Sequence, residues 1–202
     1  MLASRALSVF LIATVLPACI GGTAQLPGAM EEPPLVDKLD VTIGSHFPGK
    51  SRGYVVPTPI ARIPVGEASA KRFRKAWEAM FAQVVDLPDW PPWRSRPPPV
   101  DGVIEVDTVE MEVTLGNDDN KPDRIQVRYR VCLYQPDATQ VKCWSTEADS
   151  RYQRGIGECL LGLGACLGEQ VDHVMREAIA RFLLEFEADP DAKRWAGRNA
   201  KR

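Results

Sequence analysis

The sequence predicts an α+β fold, a two-layer sandwich in which an antiparallel sheet of three to five strands carries two helices on one face. Residues 67–85 and 169–187 repeat apolar side chains at steps of three and four, which is typical of amphipathic helices. Residues 103–148 alternate apolar and polar side chains, as strands do. The chain of 202 residues, 45% apolar and 26% charged, has the size and composition of a single globular domain.

The chain begins with a predicted signal peptide over residues 1–18. Arg5 precedes an apolar run at 6–15, which is shorter than the roughly 20 residues needed to cross a bilayer. The run is followed by Leu16, Pro17, Ala18 and Cys19, which resemble the lipobox of bacterial lipoproteins. That resemblance implies cleavage before Cys19, a diacylglyceryl group on its sulfur and an acyl group such as palmitate on the new N-terminus. The alternative is an ordinary secretory signal with a chance cysteine at the cleavage site.

The lipobox resemblance also implies a location. Two or three acyl chains on one residue hold a protein on a bilayer far more firmly than a single chain does. Ile20 stands where many lipoproteins retained in the inner membrane carry Asp. By the behaviour of that family we expect a lipid-anchored, periplasm-facing protein of the outer membrane. Residues 19–38 are rich in Gly and Pro and are predicted to be a flexible tether, with packing along the domain as the alternative.

Five cysteines occur, at positions 19, 132, 143, 159 and 166. If Cys19 is lipidated, four remain, and an exported protein can pair them as disulfides. Three pairings are possible; we predict Cys132–Cys143 and Cys159–Cys166, and the alternative is four buried free thiols. A four-residue turn at 136–139 places Cys132 opposite Cys143 and Arg128 opposite Glu147.

The predicted domain spans residues 39–187 and begins with a strand at 39–47. Residues 54–65 carry three prolines and are expected to form an edge or to stay partly unpaired. The helix at 67–85 presents an aromatic stripe that includes Trp77. We interpret this stripe as core rather than as a ligand pocket.

Residues 86–102 contain six prolines, which enforce an extended backbone, together with Trp90 and Trp93. Two indole rings on a rigid segment offer a large contact area at little entropic cost, as at protein interfaces. The two tryptophans are therefore candidate partner-binding residues. The alternative is that they fold back over the core as a lid.

The meander at 103–148 is predicted to have one apolar face and one charged face. We expect acids and arginines to pair across its strands, Glu112 with Arg128 and Glu110 with Arg130. Because such pairing holds carboxylates ionised, we interpret this face as solvated rather than catalytic. A change of phase at 107–108 predicts a β-bulge.

Residues 150–167 include Leu160, Leu161 and Leu163, which a Cys159–Cys166 bridge would close into an apolar knob. Such a knob suits contact with lipid or with a protein partner, or alternatively it plugs one end of the core. After the second helix, residues 188–202 form a basic tail that we predict to be disordered. Contact of this tail with anionic headgroups or a partner is the alternative.

The residues that could carry chemistry form no catalytic or metal-binding pattern. His46 and His173 are far apart in sequence, and no nucleophile or phosphate-binding motif occurs. We therefore predict a protein that is not an enzyme and needs no cofactor or metal. A formal net charge of −2 argues against nucleic acid as a partner.

The predicted order of elements behind a lipobox is similar to that of small envelope lipoproteins. These include the lipopolysaccharide-assembly lipoprotein and the auxiliary lipoproteins of ABC transporters. The resemblance implies a non-catalytic accessory subunit of an envelope transport or assembly system, with a protein partner in the envelope. The alternative is a periplasmic carrier of a lipid or another small apolar ligand. The sequence leaves the partner and the oligomeric state open.

Overall fold

The fold is α+β, with a five-stranded mixed sheet, a separate two-stranded hairpin and four helices among the described residues. The structure is a computed structural model that describes residues 23, 24, 26, 36–88, 99–116, 121–152 and 163–200. The elements are β1 Leu39–His46, α1 Gly49–Arg52, β2 Val56–Pro57, β3 Arg62–Ile63, α2 Val65–Met80, β4 Phe81–Leu87, β5 Gly102–Thr114, β6 Asp123–Tyr134, β7 Gln140–Tyr152, α3 Leu163–Ala188 and α4 Pro190–Asn199.

The main sheet has the strand order β4-β1-β5-β6-β7. Strands β5, β6 and β7 form the expected antiparallel meander, whereas β1 runs parallel to both β4 and β5. The prediction of an antiparallel sheet is therefore wrong at β1. Parallel neighbours need a long crossover, and the chain through α2 supplies the one between β1 and β4.

The predicted helix at 67–85 is wrong in its last turn, because α2 ends at Met80 and Phe81–Leu87 forms β4. Val84 and Val85 are β-branched, so they fit a strand better than a helix end. Pairing with β1 also gives the backbone of this segment its hydrogen bonds. The predicted count of two helices is wrong as well, since α1 and α4 are present in addition.

The register between β6 and β7 is confirmed, with Cys132 opposite Cys143 and Arg128 opposite Glu147. The bulge is confirmed too, as a register shift in β5 between Val106 and Thr108.

The register between β5 and β6 is shifted by two residues from the prediction. Arg128 faces Glu110 instead of Glu112, and Arg130 faces Thr108. The turn is closed by the side chain of Asp123, which accepts a hydrogen bond of 2.7 Å from the backbone N–H of Gly116. A shift of two leaves every side chain on its predicted face.

The core lies between α2, α3 and the sheet face that carries Tyr129 and Trp144. Phe73 meets the Tyr129 ring edge-on at 5.0 Å between centroids, and Phe182 of α3 meets Trp77 at 5.4 Å and Trp144 at 5.9 Å. Each of these aromatic side chains is at most 7% exposed. The aromatic stripe of α2 is thus core, as expected.

The prediction that residues 19–38 form a flexible tether is wrong for Thr23 and Ala24, which pack along the domain as the alternative proposed. Thr23 forms a parallel bridge with Arg62 of β3, and the Ala24 N–H donates to the Arg62 carbonyl at 3.0 Å. Ala24 is 2% exposed, and Leu26 packs against the same core. A small apolar side chain and the edge of β3 are enough to dock Thr23 and Ala24.

The predicted disorder of the tail at 188–202 is wrong for α4. Asp189 caps this helix by accepting hydrogen bonds from the N–H groups of Asp191 and Ala192, at 2.8 and 3.2 Å. Trp195 is fully buried beside Gly102, where a Cβ would lie 2.6 Å from the indole carbon Cζ2. The burial of one indole, with a glycine that makes room for it, outweighs the basic character of the segment.

Candidate functional site

A buried polar cluster occupies the second face of the sheet, which we define as the face opposite α2 and α3. Ile104 and Val106 belong to the core, so Glu105 between them points to the second face. His46 and Glu105 are 8% and 7% exposed, and His46 Nε2 lies 3.7 Å from Glu105 Oε1. Tyr134 completes the cluster through a side-chain hydrogen bond with Glu105.

The electrostatics of this cluster follow from its burial. Burial raises the pKa of Glu105, and the positive form of His46 opposes that rise. His46 Nδ1 lies 3.0 Å from the carbonyl oxygen of Leu87, an acceptor, so Nδ1 carries a proton and Nε2 faces the carboxyl group. The arrangement fixes the end of β4 to the end of β1.

A small apolar cluster adjoins these residues on the second face. It consists of Leu87, Val100 and Val103, with Val85 packed against it. The described part of the chain stops at Pro88, next to Leu87, and resumes at Pro99, next to Val100. The candidate partner-binding residues Trp90 and Trp93 lie outside the described residues, but both ends of their segment are fixed at this cluster.

Farther along the second face lie exposed ion pairs. Arg128 is 3.4 Å from Glu110 and 3.3 Å from Glu147, and all three side chains are more than half exposed. Arg130 lies 3.6 Å from Asp107. Exposed pairs of this kind contribute only about 0–1 kcal/mol each, so this part of the face is a solvated surface.

The disulfide Cys132–Cys143 joins β6 to β7, with a Cα–Cα distance of 4.0 Å, and confirms the predicted pairing. Cys132 is the neighbour of Glu105 across the strands, so the bond lies beside the polar cluster. Cys166 is also disulfide-bonded. Cys159 lies outside the described residues, so the predicted pair Cys159–Cys166 stays a prediction.

The remaining predicted site residues fall largely outside the described part of the chain. Cys19, Leu160 and Leu161 are not described; Leu163 is the first residue of α3, and its side chain is not described. The segment at 153–162 starts after Tyr152, which pairs with Asp123.

The two candidate binding segments attach to different parts of the sheet. The segment at 89–98 leaves near Glu105 and its partner Cys132, whereas the segment at 153–162 leaves near Asp123. Nine residues of β6 separate these levels, which corresponds to roughly 30 Å of strand. The segments therefore begin at opposite ends of the meander.

An apolar cavity of about 470 Å³ lies where the C-terminal ends of α2 and α3 meet the start of β1. Its apolar lining consists of Leu39, Met80, Leu184, Phe186, Ala188 and Ala192. Asp37, Glu187 and Lys193 form its polar rim, and the Asp37 N–H donates to Glu187 Oε1 at 3.1 Å. Leu184 is 51% exposed and is the large apolar side chain that stands out most from the described surface.

Sequence reasoning missed both the polar cluster and the cavity. A signal for the cluster was present, since Glu105 interrupts the apolar run from Val103 to Val106. A signal for the cavity was Leu184, which lies off the main apolar stripe of α3 and next to Glu185. The pairing of β1 with β5 brings His46 to Glu105, and the sequence did not reveal that pairing.

Among the described residues, no three His, Cys, Asp or Glu side chains are grouped as a metal ion would require. No helix of the described part combines the length and the apolar character needed to span a bilayer.

No protein family matches the sequence, and no curated protein matches it. Among solved structures, the chain is similar to a minor lipoprotein from Acinetobacter baumannii, at 12% identity and a TM-score of 0.43, over 78% of this chain and 96% of that one. It is also similar to a provisionally assigned lipoprotein from Caulobacter crescentus CB15, at 11% identity and a TM-score of 0.37, over 66% of this chain and 84% of that one. Similarity at TM-scores below 0.5 establishes neither a common fold nor a common function.

Proposed function

We propose that the chain is a lipid-anchored, non-catalytic binding subunit of a bacterial cell-envelope transport or assembly system. In this proposal Cys19 carries the lipid, and the domain faces the periplasm from the outer membrane. The observation that carries it is the Cys132–Cys143 disulfide, because such bonds persist in oxidising compartments such as the periplasm. With Cys166 also oxidised, an exported domain explains the cysteine usage better than a reducing compartment does.

The partner-binding element in this proposal is the segment that bears Trp90 and Trp93, which joins the domain at the buried residues Leu87 and Val100. The ends of the segment that bears Trp90 and Trp93 are fixed there by apolar packing, which limits the entropy lost on binding. A second proposed contact is the predicted knob of Leu160, Leu161 and Leu163, of which Leu163 begins α3.

A binding role also fits the burial of the polar cluster better than a catalytic role does. A catalytic acid or base must come within hydrogen-bond reach of its substrate. His46 and Glu105 are each less than a tenth exposed, and His46 is occupied with the carbonyl of Leu87. Their contacts join β1, β4 and β5 at the point where the segment at 89–98 begins.

The test has two parts. Mass spectrometry of the mature protein is expected to find an N-terminal peptide that begins at Cys19 and carries added acyl mass; a bare thiol there would contradict the anchor. A pull-down from solubilised envelopes is then expected to recover a partner in stoichiometric amount, and Trp90→Ala with Trp93→Ala to lose it. The control is Arg194→Ala with Arg198→Ala on the exposed side of α4, which should keep the partner.

A second candidate function is favoured by the apolar cavity. A volume of about 470 Å³ lies in the range of small-molecule sites, and an acyl chain or similar apolar ligand suits its lining. A fluorescent fatty-acid analogue is expected to bind the full chain, and Leu184→Lys to weaken binding at least about tenfold, because it places a charge against apolar walls. Glu185→Lys introduces the same side chain one residue away and should bind as the parent does. Equal binding by all three proteins would refute the carrier function.

A further inference from the structure

We propose that the edge of the domain formed by the β2–β3 hairpin and the docked residues Thr23 and Ala24 lies directly on the membrane surface. The domain is then held in a restricted orientation rather than hanging from a long tether. The proposal rests on the lipid anchor at Cys19 that is part of the proposed function. Its partner is the lipid surface that carries the anchor.

The first step is the docking itself. The backbone of Thr23 bridges to Arg62, and the N–H of Ala24 donates to the Arg62 carbonyl at 3.0 Å. The side chain of Ala24 is 2% exposed, so Thr23 and Ala24 are part of the folded domain. The length of chain that links Cys19 to the domain is therefore counted to Thr23 rather than to residue 38.

The chain between Cys19 and Thr23 has a short reach. Four residue steps separate Cys19 from Thr23, and a fully extended chain covers at most about 14 Å over that distance. A domain of this length has a radius of gyration near 15 Å and is thus about 40 Å across. Because the tether is much shorter than the domain, the opposite side of the domain cannot turn to face the membrane.

The side of the domain opposite the hairpin stays away from the membrane. Helix α2 begins at Val65, two residues after β3, and ends at Met80. Its sixteen residues correspond to about 24 Å of helix. Because α2 starts next to the hairpin and ends at Met80, the hairpin and the cavity that Met80 lines are separated by the length of this helix. Helix α4 contributes Ala192 and Lys193 to the same cavity. The cavity and α4 are therefore held away from the contact edge and stay accessible.

The contact edge carries basic side chains. Arg62 is exposed beside the docking point, and Arg52 at the end of α1 is exposed and packs its backbone against Gly66, at the start of α2. Basic side chains close to a bilayer interact favourably with anionic headgroups. Arg198 on α4 is also exposed but lies on the accessible side, and it serves as an internal comparison.

The test labels arginines in the lipidated full chain reconstituted into vesicles of phosphatidylethanolamine and phosphatidylglycerol. Modification by phenylglyoxal is followed by peptide mass spectrometry. The matched control inserts a flexible segment of about twelve Gly and Ser residues between Gly22 and Thr23, which lengthens the tether without altering the domain. We expect Arg52 and Arg62 to react at least about threefold more slowly in the parent chain than in the insertion variant, and Arg198 to react equally in both.

Equal rates at Arg62 in the two acylated proteins would overturn the proposed orientation while leaving the anchor intact. Slowing of Arg198 as strongly as Arg62 would overturn it too, since it would place α4 at the membrane. A mature chain whose N-terminal peptide carries no acyl mass would refute the anchor itself and the orientation with it. The mass of that peptide, measured in the same digest, separates the two failures.

Discussion

The buried ion pair between α2 and α3 gives a sharp test of the packing that positions both the cavity and the sheet. Arg72 of α2 contacts Asp172 of α3, and the two side chains are only 5% and 4% exposed. Arg176 also reaches Asp172, at 3.0 Å, but it is about one-third exposed and has access to water. Replacing Asp172 by Asn would remove the charge of Asp172 from the buried Arg72 guanidinium.

The burial of this pair determines how much the substitution lowers the free energy of unfolding. Removing one partner of a buried pair costs about 3–5 kcal/mol, whereas disrupting an exposed pair costs about 1 kcal/mol or less. Asp172→Asn is therefore expected to lower the free energy of unfolding by about 3 kcal/mol, a large fraction of the 5–15 kcal/mol typical of a domain. Arg72→Met combined with Asp172→Leu removes both charges and should recover most of that loss.

The assay is guanidinium unfolding followed by tryptophan fluorescence, with disulfides intact. Glu78→Gln is the matched control, because Glu78 pairs with Arg74 on the same helix but is 53% exposed. A loss below about 1 kcal/mol for Asp172→Asn, equal to that of the control, would refute the reasoning that burial makes this pair indispensable.

Three further predictions concern the disulfide, the polar cluster and α4. Replacing Cys132 and Cys143 by Ser opens a loop with a sequence separation of 11, which should cost about 3 kcal/mol in guanidinium unfolding without reductant. Glu105→Gln should change the pH dependence of stability. Burial raises the pKa of Glu105 above its ordinary value of 4.5. Between 4.5 and the raised pKa the folded parent still holds a proton that the unfolded chain has released, so the parent loses stability as the pH rises through this window. The stability of the variant relative to the parent, measured by unfolding at several pH values, should therefore grow over that window. Trp195→Ala should cost about 3–5 kcal/mol, because the indole is fully buried, whereas a disordered tail would show no change.

The sequence predicted the meander well because its signals are local. Alternation set the faces of β5, β6 and β7, and the turn after Tyr134 set the pairing of Cys132 with Cys143. The turn between β5 and β6 is longer, and its register depends on how Asp123 closes it, so the pairing of Arg128 was displaced by two residues. Local turn chemistry thus fixed one hairpin register and not the other.

The parallel strands were missed for a different reason. β4 follows α2 without any intervening residue, and its apolar residues continue the helical stripe in the sequence. Only the presence of β1 beside it makes the extended form favourable, and that neighbour lies about forty residues earlier in the chain. The cluster of His46 with Glu105 depends on the same long-range pairing, so no local pattern could have revealed it.

The two terminal segments show how composition misleads when a single side chain decides the outcome. Residues 19–38 and 188–202 have the Gly, Pro and basic character of flexible chain, yet Ala24 and Trp195 are each at most 2% exposed. Ordering a residue costs about 1–2 kcal/mol of backbone entropy, and burial with hydrogen bonds offsets this cost at Ala24 and in α4. The consequence reaches function, because docking at Thr23 and Ala24 leaves only a few residues of chain between Cys19 and the domain. A lipid at Cys19 would then do more than retain the domain: it would decide which side meets the membrane and which side a partner or ligand can reach.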